Sequence, residues 1–177
     1  MEISTLCRTM VSYFQGDTRR IQHFLKVHAL AKCIGEREGL SAKALHTLEA
    51  AALTHDIAIR DCEREFGHCT GKMQEEFGPA KAVGLLLSLG EARETAERVG
   101  VLVACHHTYT EDADPVYRAL IEADFLVNAC EDTLSADAVR KGDARIFRTE
   151  TGKALLRDFF PAAFSERPED SPRAAQE

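Results

Sequence analysis

The chain has 177 residues, 45% of them hydrophobic and 29% charged, with a formal net charge of -7. That length supports one domain with a buried core, and the interspersed acidic and basic residues argue against a surface built for a nucleic-acid polymer. No apolar run approaches the ~20 residues that span a bilayer, and Met1-Glu2-Ile3-Ser4-Thr5-Leu6 lacks a basic region followed by an apolar stretch, so a cytoplasmic protein without a membrane partner is expected.

Helix patterns dominate from the start. Residues 3–14 form a short amphipathic segment. Asp17 or Thr18 caps a second helix running to about Glu38, where Gly39 ends it. Ser41 caps a third that ends near Ile59. Residues 60–73 mix charges with two glycines, show no clear period and read as a loop. Pro79 suits the first turn of the next helix, which ends at Leu89 before Gly90. Another runs from Glu91 to His106 or His107, followed by a loop over 108–114. Pro115 opens a helix to about Asp132, Ser135 starts the next, and Thr149 to Phe160 forms the last. The expectation is an all-α, irregular bundle of about six to eight helices over residues 1–160, with 161–177 a disordered tail.

The six cysteines, Cys7, Cys33, Cys62, Cys69, Cys105 and Cys130, include no Cys-x-x-Cys pair and read as free thiols in a reducing compartment. Cys62 and Cys69 flank His68 as a weaker metal-binding alternative.

Chemistry concentrates where ionisable residues interrupt apolar stripes. Leu45, Leu48, Ala52 and Ile59 share one helix face, and His55-Asp56 falls three and four residues after Ala52. A charge on a buried face is costly unless something pairs with it. On the preceding helix Val27, Leu30, Ala31 and Ile34 make a stripe that His23 extends one step back, whereas His28 lies about 140° away. Asp124 sits four after Leu120 and three before Val127, and Val99, Leu102 and Val103 lead into His106 and His107. Two imidazoles and two carboxylates, His23, His55, Asp56 and Asp124, suit one divalent ion such as Mn, Fe, Co, Ni, Zn or Mg. Phe24, Phe125 and Phe147 read as core, His46 and His68 as surface.

The order His23, then His55-Asp56, then Asp124 resembles the signature of the HD-domain superfamily of metal-dependent phosphohydrolases. The stretch from His23 to Ala31 is similar to that family's first-histidine helix, which places the ligand four before a valine and so favours His23 over His28. Gly71-Lys72-Met73-Gln74-Glu75, then Gly78-Pro79, His106 to Tyr109 and Phe147 to Gly152 resemble a subgroup of small stand-alone bacterial HD proteins. The resemblance spans roughly residues 18 to 158. Two-metal members usually carry a histidine between the His-Asp pair and the later histidines. Phe77-Gly78-Pro79-Ala80-Lys81-Ala82 has none, so one ion per chain is expected, with Glu75 and His106 or His107 holding a second only weakly.

The resemblance and the ligand set together imply a phosphohydrolase acting on a small phosphate ester, such as a nucleotide, through water activated by the ion. Asp56 would accept the proton of that water, and His106, His107 and Lys72 would stabilise charge on the transferring group. Glu75 reads either as general acid/base or orienting group or as part of an acidic helix start, and Arg20 reads as a solvated face sooner than as a phosphate contact. The alternatives are a phosphodiesterase acting on cyclic or bridged nucleotides and a non-catalytic sensor of metal or nucleotide.

Overall fold

The computed structural model describes residues 1–109 and 114–165. Among these lie ten helices and no strand: α1 (Ile3–Tyr13), α2 (Thr18–Arg37), α3 (Ala42–Thr54), α4 (Ile59–Phe66), α5 (Gly71–Ser88), α6 (Arg93–Val103), α7 (Pro115–Glu131), α8 (Ala136–Ile146), α9 (Glu150–Phe159) and the four-residue α10 (Pro161–Phe164). The all-α architecture is the one expected, with more helices than expected because the segment read as a loop contains one and the last turn is separate.

Side-chain caps set most helix starts. Asp17, Ser41, Thr70, Asp114, Ser135 and Thr149 each accept a hydrogen bond from a backbone N–H in the first turn of α2, α3, α5, α7, α8 and α9, which satisfies donors that the helix itself leaves unpaired. Gly39 (φ 75°) and Gly90 (φ 80°) end α2 and α5 in the left-handed region, which other residues enter at a cost.

Helix α3 is the centre of the bundle. It packs against α1, α2, α6 and α7, while α2 and α7 lie side by side and α5 pairs with α6. Its residues from Thr47 to Thr54 are all buried, so it reads as apolar nearly all round. The antiparallel α5–α6 contact is close because its crossing points are glycines. A Cβ on Gly78 would stand 2.8 Å from a Val103 methyl, and one on Gly100 would stand 2.7 Å from a Val83 methyl. Phe24 and Phe147 are core as expected, and Phe125 is partly buried with its ring edge-on to Phe147.

Five boundaries differ from the sequence reading, among them α6, which spans Arg93–Val103 and stops short of His106. First, α3 stops at Thr54. The Ile57 amide bonds the Thr54 carbonyl and the Ile59 amide bonds the Asp56 carbonyl, so the chain turns tightly through 55–58. Second, 59–66 is helix α4. Cys62 is its single buried residue, so its run of charges hides the period. It is fixed instead by Asp61, which accepts a hydrogen bond from the Tyr13 hydroxyl (3.1 Å) and pairs with Lys81. Third, α5 begins at Gly71, so Pro79 lies inside it. Its buried stripe is Gln74, Gly78, Ala82 and Leu86, and only the last two are apolar side chains. Pro161–Phe164, placed in the tail by the sequence reading, is helical with Ala163 buried, and its carbonyl accepts from Arg140 at 2.7 Å. Residues 110–113 and 166–177 lie outside the described residues.

Candidate metal centre

Both histidine pairs sit where a helix ends. His55-Asp56 occupies the tight turn after α3, and His106-His107 the turn after α6. Helical rotation would send adjacent side chains about 100° apart; leaving the helix lets both members of each pair face one point. The two turns present their side chains to the facing sides of α2 and α7.

There His23, His55, Asp56 and Asp124 meet. His23 Nε2 lies 3.3 Å from His55 Nε2 and 3.2 Å from Asp124 Oδ1. His55 Nε2 lies 3.4 Å from Asp124 Oδ1 and 3.5 Å from Asp56 Oδ2, and the His23 Nε2–Asp56 Oδ2 distance is 3.7 Å. Atoms about 2.1 Å from a common ion in adjacent coordination positions stand about 3 Å apart, so these separations fit one cation.

Each imidazole has its other nitrogen fixed. His55 Nδ1 donates to the Ala52 carbonyl (2.9 Å), and His23 Nδ1 donates to Glu131 Oε2 (3.1 Å). The Glu131 carboxylate is held in turn by Lys26 (3.0 Å). These partners leave both Nε2 atoms as lone-pair donors aimed at the same point as two carboxylates. Asp124 Oδ1 is buried and has no hydrogen-bond partner, which no ordinary core position tolerates. Without a cation, protons meet that demand. Burial opposes the charge on His55, but Asp56 and Asp124 push it up to about 9. Burial likewise opposes the charge on Asp56, yet His55 and His106 hold it at about 2. Burial is deeper at Asp124, and there His23 and His55 hold the carboxyl well below the usual range. The donor set therefore fits a divalent cation in place of those protons.

A cleft of about 360 Å³ opens over the group, with Arg19, Arg20, Ile59, Gln74, His107 and Asn128 among its lining residues. Arg20 is pinned by Asp17 and by Glu63 (2.6 Å) on α4. His106 is buried with Nδ1 on the Val103 carbonyl (2.7 Å) and Nε2 3.7 Å from Asp56 Oδ1. His107 is half-buried, and burial followed by the neighbouring His106 pushes its pKa down.

Glu75 does not point at the cation position. Its two oxygens accept from the His107 backbone N–H (3.0 Å) and the Thr108 hydroxyl (3.1 Å), so it holds the turn that carries the histidines. Lys72 is exposed on the first turn of α5 and is not brought to the cleft. His28 faces Glu49 instead of the centre. His46, read as surface, is half-buried and bonds Glu91 at 2.7 Å. Among the described residues, the groups with ligand spacing are His23/His55/Asp56 and Asp56/His106/His107; Cys62, His68 and Cys69 do not form one.

The sequence reading missed Glu131, Asn128 and the part played by Gln74. Glu131 was detectable, since it lies seven residues after Asp124, two turns along the same face. The polar side chain of Gln74 interrupts an otherwise non-polar buried stripe, and only the structure shows what it faces.

No family model matches the sequence, and no curated protein does. Among solved structures the chain is similar to a predicted HD superfamily hydrolase from an uncultured Thermotogales bacterium, at 26% identity and a TM-score of 0.61, over 90% of this chain and 84% of that one. No helix among the described residues is long and apolar enough to cross a membrane. The molecule thus has the HD-domain fold, with the His, His-Asp, Asp residues of its sequence gathered at one point inside it.

Proposed function

We propose that this protein is a metal-dependent phosphohydrolase, carried by one domain over residues 1–160 and acting in the cytoplasm on a small phosphate ester such as a nucleotide, with no membrane or nucleic-acid polymer as partner. The observation that carries the reading is the unpartnered Asp124 Oδ1, buried among two imidazole nitrogens and the Asp56 carboxylate on the floor of an open cleft. A structural His–carboxylate pair has no reason to leave an acceptor empty or to lie under a solvent channel. The similar solved structure, described as a predicted hydrolase, supports the same class.

A divalent ion held by His23, His55, Asp56 and Asp124 would supply Lewis acidity toward water and a phosphoryl oxygen. The chain's own groups do the rest. Asp56 divides its two oxygens between the cation position and His106, so its carboxylate can take a proton from water and share it with that imidazole. His107 and Arg20 flank the cleft as donors to phosphoryl oxygens, and Arg20 is pre-oriented by its two carboxylate partners. Glu75 fixes the 106–108 turn, and Glu131 fixes the tautomer of His23.

One observation favours a phosphodiester as the substrate. A second groove lined by Thr18, Arg19, Gln22, Lys26 and Glu131 adjoins the cleft through Arg19 and Glu131 and so gives room for a second substituent on phosphorus. Assays of phosphomonoesters and diesters with Mn, Co, Ni and Mg test both. Turnover that depends on the ion and is lost in Asp56→Ala is expected. No turnover with any pair, alongside stabilisation by a nucleotide, would replace the enzyme by a sensor.

A further inference from the structure

A second group of ligating side chains adjoins the first, and its chemistry is different. Asp56, His106 and His107 each offer a ligand atom within 4.8 Å of the other two, with Asp56 Oδ1 3.7 Å from His106 Nε2. Asp56 turns one oxygen to each group, as a carboxylate shared by two ions would. Spacing alone would make this a second cation position.

Two features speak against it. The first is Gln74, a buried residue of α5. Its carboxamide stands 2.9 Å from His107 Nε2 and 3.3 Å from His106 Nε2. The Nδ1 of His106 is committed to the Val103 carbonyl, so its Nε2 carries the lone pair. Both rings face the same position of that amide, and because His106 Nε2 carries a lone pair this position is the NH2 end, whose two N–H bonds can donate to both Nε2 atoms, so one neutral side chain satisfies both rings. No atom of this second group is left buried without a partner, in contrast to Asp124 Oδ1 in the first.

The second feature is charge. Asp56 and Asp124 together balance one divalent ion. The second group shares Asp56 and adds two imidazoles and an amide, with no carboxylate of its own. The adjacent residue with one, Glu75, has both oxygens taken by His107 N–H and the Thr108 hydroxyl. A second divalent ion would meet the repulsion of the first with nothing to offset it.

We infer that Gln74 closes the second group to metal, so that each chain holds one divalent ion and His106 and His107 act as hydrogen-bonding groups, not as ligands. The inference rests on the proposed function for the first ion. It goes beyond the lack of a histidine in residues 77–82, because it assigns the position to a particular side chain and predicts how to reopen it.

The test is a Mn²⁺ titration of the metal-free full chain, with free ion read by electron paramagnetic resonance and folding checked by circular dichroism. Wild type is expected to bind one equivalent. Gln74→Glu keeps the shape and adds the missing carboxylate, and is expected to bind two. If that variant does not fold, Gln74→Asp supplies the same carboxylate on a shorter side chain and is expected to show the same second equivalent. Two equivalents in wild type would overturn the inference and leave the proposed function standing. None in wild type would overturn both. One equivalent in a folded Gln74→Glu or Gln74→Asp protein would overturn the role given to Gln74.

Discussion

Glu122 and Asp124 stand two residues apart on α7, and both are buried. Glu122 is saturated: it accepts from the backbone N–H of Arg148 (2.6 Å) and of Thr149 (2.9 Å) and from the Thr149 hydroxyl, and so ties α9 to α7. Asp124 faces the other side of the helix and keeps an oxygen with no partner. Helix α2 repeats the contrast with histidines. His28 meets Glu49 at 3.1 Å, and the same oxygen takes Lys32 at 3.1 Å, closing the set. His23 meets Glu131 with one nitrogen and leaves the other among ligands. Burial of an ionisable group does not mark a site. An incomplete partner set does.

The largest effects should separate the two carboxylates. Asp124→Ala is expected to cut divalent-ion affinity by at least about 100-fold, more than loss of an outer partner does, with the helical circular dichroism signal retained. Glu122→Ala should do the opposite. It leaves two backbone N–H groups unpaired and is expected to cost about 3 kcal/mol, or roughly 6–12 °C in Tm, while the folded fraction still binds the ion at wild-type affinity. Calorimetric titration and thermal melts on the same samples check both. Equal metal affinity in the two variants would erase the distinction.

The histidines sharpen the comparison within one helix. His23→Ala is expected to abolish measurable bound metal in the purified protein. His28→Ala should leave metal content unchanged and cost about 1 kcal/mol, because Lys32 still accompanies Glu49. Metal analysis after dialysis reads the difference. Loss in His28→Ala with retention in His23→Ala would reverse the assignment.

The legible part of this molecule was its periodicity. Ser41, Asp17 and Pro115 mark helix starts, and the stripes that contain His23 and Asp124 turn two ligands inward on periodicity alone. Even His55-Asp56 was located, although as helix, when the turn after Thr54 is what lets both face the centre. The boundary errors share one cause. Helix α4 and the first turns of α5 are held by isolated polar contacts, Asp61 with Tyr13 and Lys81, Glu63 with Arg20, and Gln74 and Glu75 with the 106–108 turn, and such contacts leave no repeating signature. Glu75 and Lys72 illustrate the same limit. Their residue types suited catalysis, but orientation on the first turn of α5 turned one beneath a backbone turn and the other to solvent.

A smaller effect tests the saturated end alone. Gly152 lies so close to Glu122 that a Cβ there would overlap its carboxylate and stand 2.8 Å from the Thr149 hydroxyl. Gly152→Ala is thus expected to destabilise by about 2 kcal/mol without changing metal affinity, as read by urea melts and calorimetric titration. A change in affinity would mean that the two carboxylates are coupled through α7.

The smallest effect is a slope. In metal-free protein the two carboxyls shift in opposite directions. Burial opposes the charge on Asp124, but His23 and His55 hold its pKa well below the unfolded value, whereas burial raises that of Glu122 despite its three donors. A lowered carboxylate contributes stability that is present above the unfolded value of about 3.9 and is lost as pH falls toward the folded one. A raised one contributes stability that is full below about 4.3 and lost as pH rises through the folded value. Between about pH 5.5 and 3, chelated wild type should therefore lose stability on acidification. Asp124→Asn should flatten that loss by up to about 1.4 kcal/mol per pH unit, the contribution of one proton. Glu122→Gln should steepen it, because it removes the one group of the two that acid favours. Urea midpoints across this range, with a chelator present, decide it. Identical slopes in Asp124→Asn and wild type would mean that the unpaired oxygen of Asp124 is not the charged acceptor that separates it from Glu122.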